Sequence, residues 1–259
     1  MLPIPPHLQA LNERASTLVR THPGEPYPAE TIAEVDAAGA EVNAWVEQQT
    51  RAILDAGQLP GLVGGDHSVS FGAIAAAARR FPGLGLLHID AHADLREAFD
   101  GFTWSHASIL YNVRTRLAVS PVVSVGIRDY SPIEARRYAE HDDMHLVTDR
   151  RIAEWTLGGR PFVDLVDAIL APLPSDVWIT FDVDGLDPSL CPHTGTPVPG
   201  GLTYGQVSVL LDRLAASRRV VGFDLTEVGD GEWDANVGAR LLYKLAGCAI
   251  TTNHQFGNP

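Results

Sequence analysis

Four apolar runs in this chain each stop at a knot of charged and polar residues. Leu62-Val63 leads into GGDHS (Gly64–Ser68), and LGLLHI leads into DAHAD (Asp90–Asp94). VWITF leads into DVDGLDP (Asp182–Pro188), and VVGF runs into DLTEVGD (Asp224–Asp230). A fifth polar cluster, SHAS (Ser105–Ser108), opens a helical stretch. The strand-like runs cover 61–64, 84–89, 122–126, 145–147, 177–181 and 220–225. Helical patterns fill the spaces at 69–80, 106–119, 132–140, 162–170, 204–216 and 237–246, after a long helix at 30–56. Strand alternating with helix at this spacing predicts a parallel sheet with helices on both faces. Ligand sites in such sheets form at the carboxyl ends of the strands, where all four knots fall. No repeat or linker divides the chain, so residues 1–259 read as one domain. Residues 1–28, with six prolines, read as an irregular N-terminal segment with a short helix possible at 7–20.

Composition narrows the chemistry. The 259 residues carry 32 acidic against 19 basic side chains, a formal charge of −13. An acidic chain is a poor phosphate binder, which argues against a nucleic-acid partner and suits a metal or a cationic small molecule. Cys191 and Cys248 are too few for a disulfide framework and fit a reducing compartment. No uncharged apolar run reaches the roughly 18 residues of a membrane helix, and MLPIPPHLQALNER lacks signal-peptide features. A cytoplasmic protein without membrane contact is expected.

In DAHAD, positions 90, 92 and 94 share one side of an extended segment, so two carboxylates and an imidazole converge. Asp182 and Asp184 repeat the spacing, and His67 adds a second imidazole. So many acids cannot be buried together without cations between them. Hard oxygen ligands with some imidazole suit a divalent first-row ion such as Mn²⁺. His67, Asp90, His92, Asp94, Asp182 and Asp184 are more ligands than one ion needs, so two ions about 3.5–4 Å apart are expected. A lone DxD at a strand end is most often a solvated loop. Three such clusters at separate strand ends are not.

GGDHS, DAHAD and DVDGLDPS together, with PHTGTPVPGGLTYGQ (Pro192–Gln206), resemble the ureohydrolase family of arginases and agmatinases over about residues 30–250. The resemblance implies a three-layer α/β/α fold and a binuclear Mn²⁺ centre, with Ni²⁺ as the alternative. It implies hydrolysis of a small guanidino compound to urea and an amine, most like agmatine to putrescine. By the same resemblance His67, Asp90, Asp94 and Asp182 hold one ion. Asp90, His92, Asp182 and Asp184 hold the other, so Asp90 and Asp182 bridge. His106 matches the catalytic histidine and Glu227 the glutamate that binds the guanidinium. The chemistry agrees: a carboxylate can hold a planar guanidinium with paired hydrogen bonds, and a histidine can pass a proton to the leaving amine. The family also implies a homo-oligomer, a trimer or hexamer.

Two departures stand out. The family opens with two further strands before the long helix. Without them six strands remain, and the strand at Leu62 becomes an edge that residues 1–28 or a neighbouring chain is expected to cover. Glu227 is followed by VGDGEWDAN rather than a short Asn-Pro turn. For the substrate tail, the loop Leu95–Ser105 offers Glu97 and Asp100 to attract an amine and Phe99, Phe102 and Trp104 to line an apolar channel; Arg96 could bind a guanidino acid's carboxylate. Rival readings are a guanidine or guanidino-acid hydrolase, a single-Zn²⁺ deacetylase on a related fold, and a non-catalytic member that retains the metal ligands. Asp66 and Asp187 read as braces for the ligand loops, His88 as a core histidine or a support to the ligands, and His193, His141 and His145 as surface residues.

Overall fold

The computed structural model describes residues 2–22, 24 and 26–256. In chain order these form α1 (Pro6–Thr21), α2 (Ala29–Asp55), β1 (Gly61–Val63), α3 (Ser70–Arg80), β2 (Gly85–Ile89), α4 (Ile109–Arg116), β3 (Val122–Ile127) and α5 (Pro132–Ala139). There follow β4 (Met144–Thr148), α6 (Asp149–Leu157), α7 (Phe162–Leu170), β5 (Asp176–Asp182), α8 (Tyr204–Ala215), β6 (Arg219–Thr226) and α9 (Glu232–Phe256). Short 3₁₀ turns at His67–Val69, His106–Ser108 and Val183–Gly185 carry site residues.

The six strands make one all-parallel sheet in the order β1-β6-β5-β2-β3-β4. Side chains alternate between its faces, as strand geometry requires. Leu87, Ile89, Val123, Val125, Val177, Ile179 and Phe181 join a core with α7, α8 and α9. Leu86, Val122, Ile127 and Trp178 join a second core with α2, α3 and α4. The result is the three-layer α/β/α arrangement that the resemblance implied. From β2 the chain proceeds outward through β3 and β4, then returns to β5 on the other side of β2. The switch point of the topology therefore lies between β2 and β5, where such sheets bind ligands.

Local signals explain most elements. Pro132 with a Ser131–Glu134 capping box starts α5, and a Thr203–Gln206 box starts α8. Thr148 caps α6, a helix the sequence reading passed over. The α9 helix extends well beyond the expected 237–246, and its buried face continues through Cys248, Ala249 and Thr252. Close contact of α2 with α3 depends on Gly72: a Cβ there would stand 2.2 Å from the Asn43 carbonyl, and the Asn43 side chain accepts from the Gly72 amide at 3.0 Å.

The N-terminal expectation needs correction. The helix that is possible at 7–20 is present as Pro6–Thr21, 16 residues long, so the irregular reading does not hold over that part of the segment. Pro6 occupies the first turn, where a missing N–H costs nothing, and Leu8 is buried. Residues 1, 23 and 25 of that stretch lie outside the described residues. Helix α1 lies on α2 rather than on the sheet edge. Strand β1 pairs only with β6 on its inner side and leaves Val63 47% exposed.

Candidate binuclear metal centre

The carboxylate motifs meet where the parallel strands end. Asp90 directly follows β2, Asp182 closes β5 and Glu227 directly follows β6. His67 comes from the turn after β1, whose N-cap is Asp66: the Asp66 carboxylate accepts from the Ser68 amide at 2.9 Å. Asp187 braces the next loop in the same way, accepting from Ser189 N at 2.9 Å. Gly126 lets β3 approach Asp90 closely; its φ of +95° suits glycine, and a Cβ would lie 3.0 Å from the Asp90 carbonyl.

Two groups of ligand atoms form, and Asp90 belongs to both. His67, His88, Asp90 and Asp94 present atoms within 4.8 Å of one another, as do Asp90, His92 and Asp184. His67 Nδ1 stands 3.1 Å from Asp90 Oδ2, 3.2 Å from Asp94 Oδ2 and 3.5 Å from Asp182 Oδ2. His92 Nδ1 stands 3.0 Å from Asp184 Oδ2 and 3.4 Å from Asp90 Oδ1. Five of the six expected ligands thus fall in these groups, and Asp182 adjoins them through His67 Nδ1.

The electrostatics fit cations at this place. His67, Asp90, Asp94, Asp182 and Asp184 are buried, and His67 Nδ1 faces the carboxylates of Asp90, Asp94 and Asp182 at 3.1, 3.2 and 3.5 Å. Burial drives the Asp182 carboxyl well above the usual range, and the charges of Asp90 and Asp184 push it further. Burial and then the Asp90 charge raise Asp94. Burial also opposes charge on Asp90, but hydrogen bonds with His67, His88 and His92 hold its carboxyl well below the usual range. Burial opposes a proton on the imidazoles, yet bonds to Asp90 and Asp94 raise His67 well above its ordinary value, and bonds to Asp184 and Asp90 raise His92 to about 11. Protons here stand in for a positive charge that the carboxylates demand.

Behind the ligands runs a polar row across the sheet. Parallel register places His88 opposite Ser124 and Thr180, and Thr180 opposite Asp224. His67 Nε2 meets Thr180 Oγ1 at 2.8 Å, and Thr180 donates to Asp224 Oδ1 at 2.8 Å. Asp224 also accepts from Trp178 Nε1 at 2.7 Å. Arg128 donates to the carbonyls of Asp184, Leu186, Val198 and Gly126 and so clamps the loop after β5. Thr180, Ser124, Asp224 and Arg128 were not singled out from sequence. The available signal was position: Thr180 precedes Asp182 by two residues, as His88 precedes Asp90.

Glu227 lies beside the ligands. Its Oε1 accepts from the His67 amide at 3.0 Å, and its backbone takes φ +60°, a costly conformation for a residue other than glycine. Its amide donates to the Gly65 carbonyl at 2.9 Å, and Thr194 Oγ1 donates to its carbonyl at 2.8 Å. Burial and then the Asp66 charge push its carboxyl up to about 7. His106 sits on a 3₁₀ turn packed beside the turn of His67, its ring edge-on to Phe99 at 5.5 Å.

The expected tail residues divide. Glu97 is exposed, 4.0 Å from Arg137. Asp100 is half-buried at a tight bend with φ +54°. Trp104 packs edge-on to Phe71 at 4.9 Å, under the Arg116 guanidinium and against Gly39, so its contacts are with α2, α3 and α4. Asp36 of α2 accepts from the Thr103 amide at 2.8 Å and Tyr27 stacks on Phe102 at 5.0 Å, so the segment before β1 braces this loop. His193 keeps an exposed ring but is anchored to buried Asp234 by two hydrogen bonds of 2.8 Å.

The arginase family model matches residues 11–250. This chain belongs to the arginase family. Among arginase-family relatives, the N(1)-aminopropylagmatine ureohydrolase of Thermus thermophilus is 36% identical over 223 residues, 85% of this chain and 73% of that protein. The proclavaminate amidinohydrolase of Streptomyces clavuligerus is 33% identical, over 71% of this chain and 61% of that one. The crystal structure of arginase from Bacillus subtilis superposes with a TM-score of 0.69 at 26% identity, covering 93% of this chain and 90% of that one. Membership makes the chain a ureohydrolase-type enzyme with a binuclear metal site. Among the described residues, no helix is long and apolar enough to cross a membrane.

Proposed function

We propose that the protein hydrolyses agmatine, or a guanidino compound with a similarly uncharged or cationic tail, to urea and an amine, using two Mn²⁺ ions. The observation that carries this reading is the pair of ligand groups joined at Asp90, with the Glu227 carboxylate alongside. His67, Asp90, Asp94 and Asp182 would hold one ion, and Asp90, His92, Asp182 and Asp184 the other. When bound, the ions would supply a nucleophile from water at neutral pH. Glu227 holds the guanidinium by charge-assisted hydrogen bonds and orients its carbon towards the metal centre. His106 passes a proton to the leaving nitrogen. Glu97 and Asp100 set a negative potential over the entrance, and Trp104 shapes the loop by anchoring it to the helices.

Substrate preference follows from that entrance. We assign agmatine a kcat/KM at least ~100-fold above that of arginine, about 2.7 kcal/mol of discrimination. Urea release across agmatine, arginine, guanidine and guanidino acids tests this; equal turnover of agmatine and arginine refutes it. One observation favours a second reading. Arg96 lies exposed on the Phe99 ring at 5.0 Å, beside the ring that touches His106. A guanidino acid turned over faster than agmatine would give the role of tail reader to Arg96, and nickel loading would be compared in the same assay.

In assembly, a neighbouring chain covers the β1 edge within a trimer or hexamer, and light scattering reads its size. Two buried free thiols suit a cytoplasmic setting.

A further inference from the structure

His88 is the one member of the two ligand groups to which the family assignment gives no metal. By distance alone its Nε2 is a candidate ligand. We infer that His88 is instead a positioning residue: a one-way hydrogen-bond chain from Tyr138 through Ser124 places its proton on Nε2 and directs it at Asp90.

The direction follows from counting hydrogens. Tyr138 comes from α5, is buried, and its hydroxyl donates to Ser124 Oγ at 2.7 Å. Ser124 Oγ lies 3.0 Å from His88 Nδ1, and His88 Nε2 lies 2.9 Å from Asp90 Oδ2. With Tyr138 donating, the Ser124 hydrogen goes to His88 Nδ1, and the imidazole hydrogen resides on Nε2 and goes to Asp90. Every hydrogen then has an acceptor. The reverse chain strands the Tyr138 hydrogen in the core among the described contacts, and a buried donor without an acceptor is strongly disfavoured. A nitrogen that carries a hydrogen has no lone pair for a metal. Asp90 Oδ1 meanwhile accepts from the His92 amide at 2.6 Å. The carboxylate common to both ligand groups is thus gripped at both oxygens, and its plane is set before any cation arrives.

This rests on the two-ion reading for its consequence but not for its test. Calorimetric titration of the full-length, metal-free protein with Mn²⁺ comes first; binding of fewer than two ions overturns the two-ion reading and leaves the chain of hydrogen bonds to the spectrum below. His88→Gln retains an N–H donor and still binds two ions. Loss of one ion there, with thermal unfolding intact, makes His88 a ligand and overturns the inference. Tyr138→Phe weakens Mn²⁺ binding roughly tenfold, and in the His88→Gln background it has no further effect. An equal loss in both backgrounds marks a purely structural role and also overturns it. Long-range ¹⁵N spectra of histidine-labelled protein, metal-free and loaded with diamagnetic Zn²⁺, decide the case even if a variant fails to fold. A proton on Nε2 of His88 supports the inference, and a proton on Nδ1 refutes it.

Discussion

Thr180→Val removes one hydroxyl from the polar row and nearly nothing else. His67 is fully buried and its Nε2 meets the Thr180 hydroxyl at 2.8 Å. Valine leaves that N–H without an acceptor. Asp224 is less affected, because Trp178 Nε1 at 2.7 Å and the Phe181 amide at 3.3 Å still reach it. A buried donor left unsatisfied costs about 1–3 kcal/mol. For a domain of this size each kcal/mol moves the melting temperature by about 2–4 °C, so a fall of roughly 2–12 °C is expected without metal. The ring of His67 also loses the partner that sets its orientation, and loss of such partners weakens metal binding about 10- to 100-fold. That ratio corresponds to about 1.4–2.7 kcal/mol. Thr180→Ser retains the hydroxyl and serves as the control for the lost methyl. The assays are thermal unfolding of metal-free protein and calorimetric titration with Mn²⁺. If Thr180→Val melts with the serine variant and binds Mn²⁺ as tightly, His67 is not held through Thr180 and the reasoning fails.

Three further outcomes are expected. Asp182→Asn removes a charge that two ions would share, so metal content measured by elemental analysis should fall together with urea release; one Zn²⁺ per chain in the wild type, with Asp182→Asn unaffected, counts against two ions. Glu227→Gln forfeits a charge-assisted bond worth about 1.5–3 kcal/mol, so kcat/KM for agmatine should drop about 10- to 150-fold with metal content unchanged. The Glu227 carboxyl is pushed up to about 7 and a bound cation lowers it, so an acid limb in KM at or below that pH is expected in the wild type and absent in the variant. The raised values of His67 and His92 mean that both imidazoles hold protons in the metal-free protein. Cations must displace them, so Mn²⁺ affinity should rise with pH between about 6 and 9, with proton release visible as buffer-dependent heats; a pH-independent affinity contradicts this.

The alternation of strands and helices, the place of the charged knots at strand ends and the six metal-ligand candidates are legible in the chain. These are local patterns: apolar runs of strand length, and Asp or His at every second position, need no knowledge of neighbours. Helix α1 matches the helix possible at 7–20 to within one residue at each end, whereas α6 escapes the pattern because its start depends on the single cap Thr148. The support behind the ligands was not legible. Thr180 and Ser124 look like ordinary strand residues, and Tyr138 like one aromatic on a short helix. They matter because parallel register places His88 opposite Ser124 on one side and Thr180 on the other, and because α5 lays Tyr138 over Ser124. Sequence by itself determined which side chains could bind a cation, since ligand chemistry belongs to each residue. Only the tertiary structure decided which hydroxyls and carboxylates hold those ligands still. Cross-strand register is set by pairing segments some 36 to 92 residues apart, and no local pattern records which residue will face which.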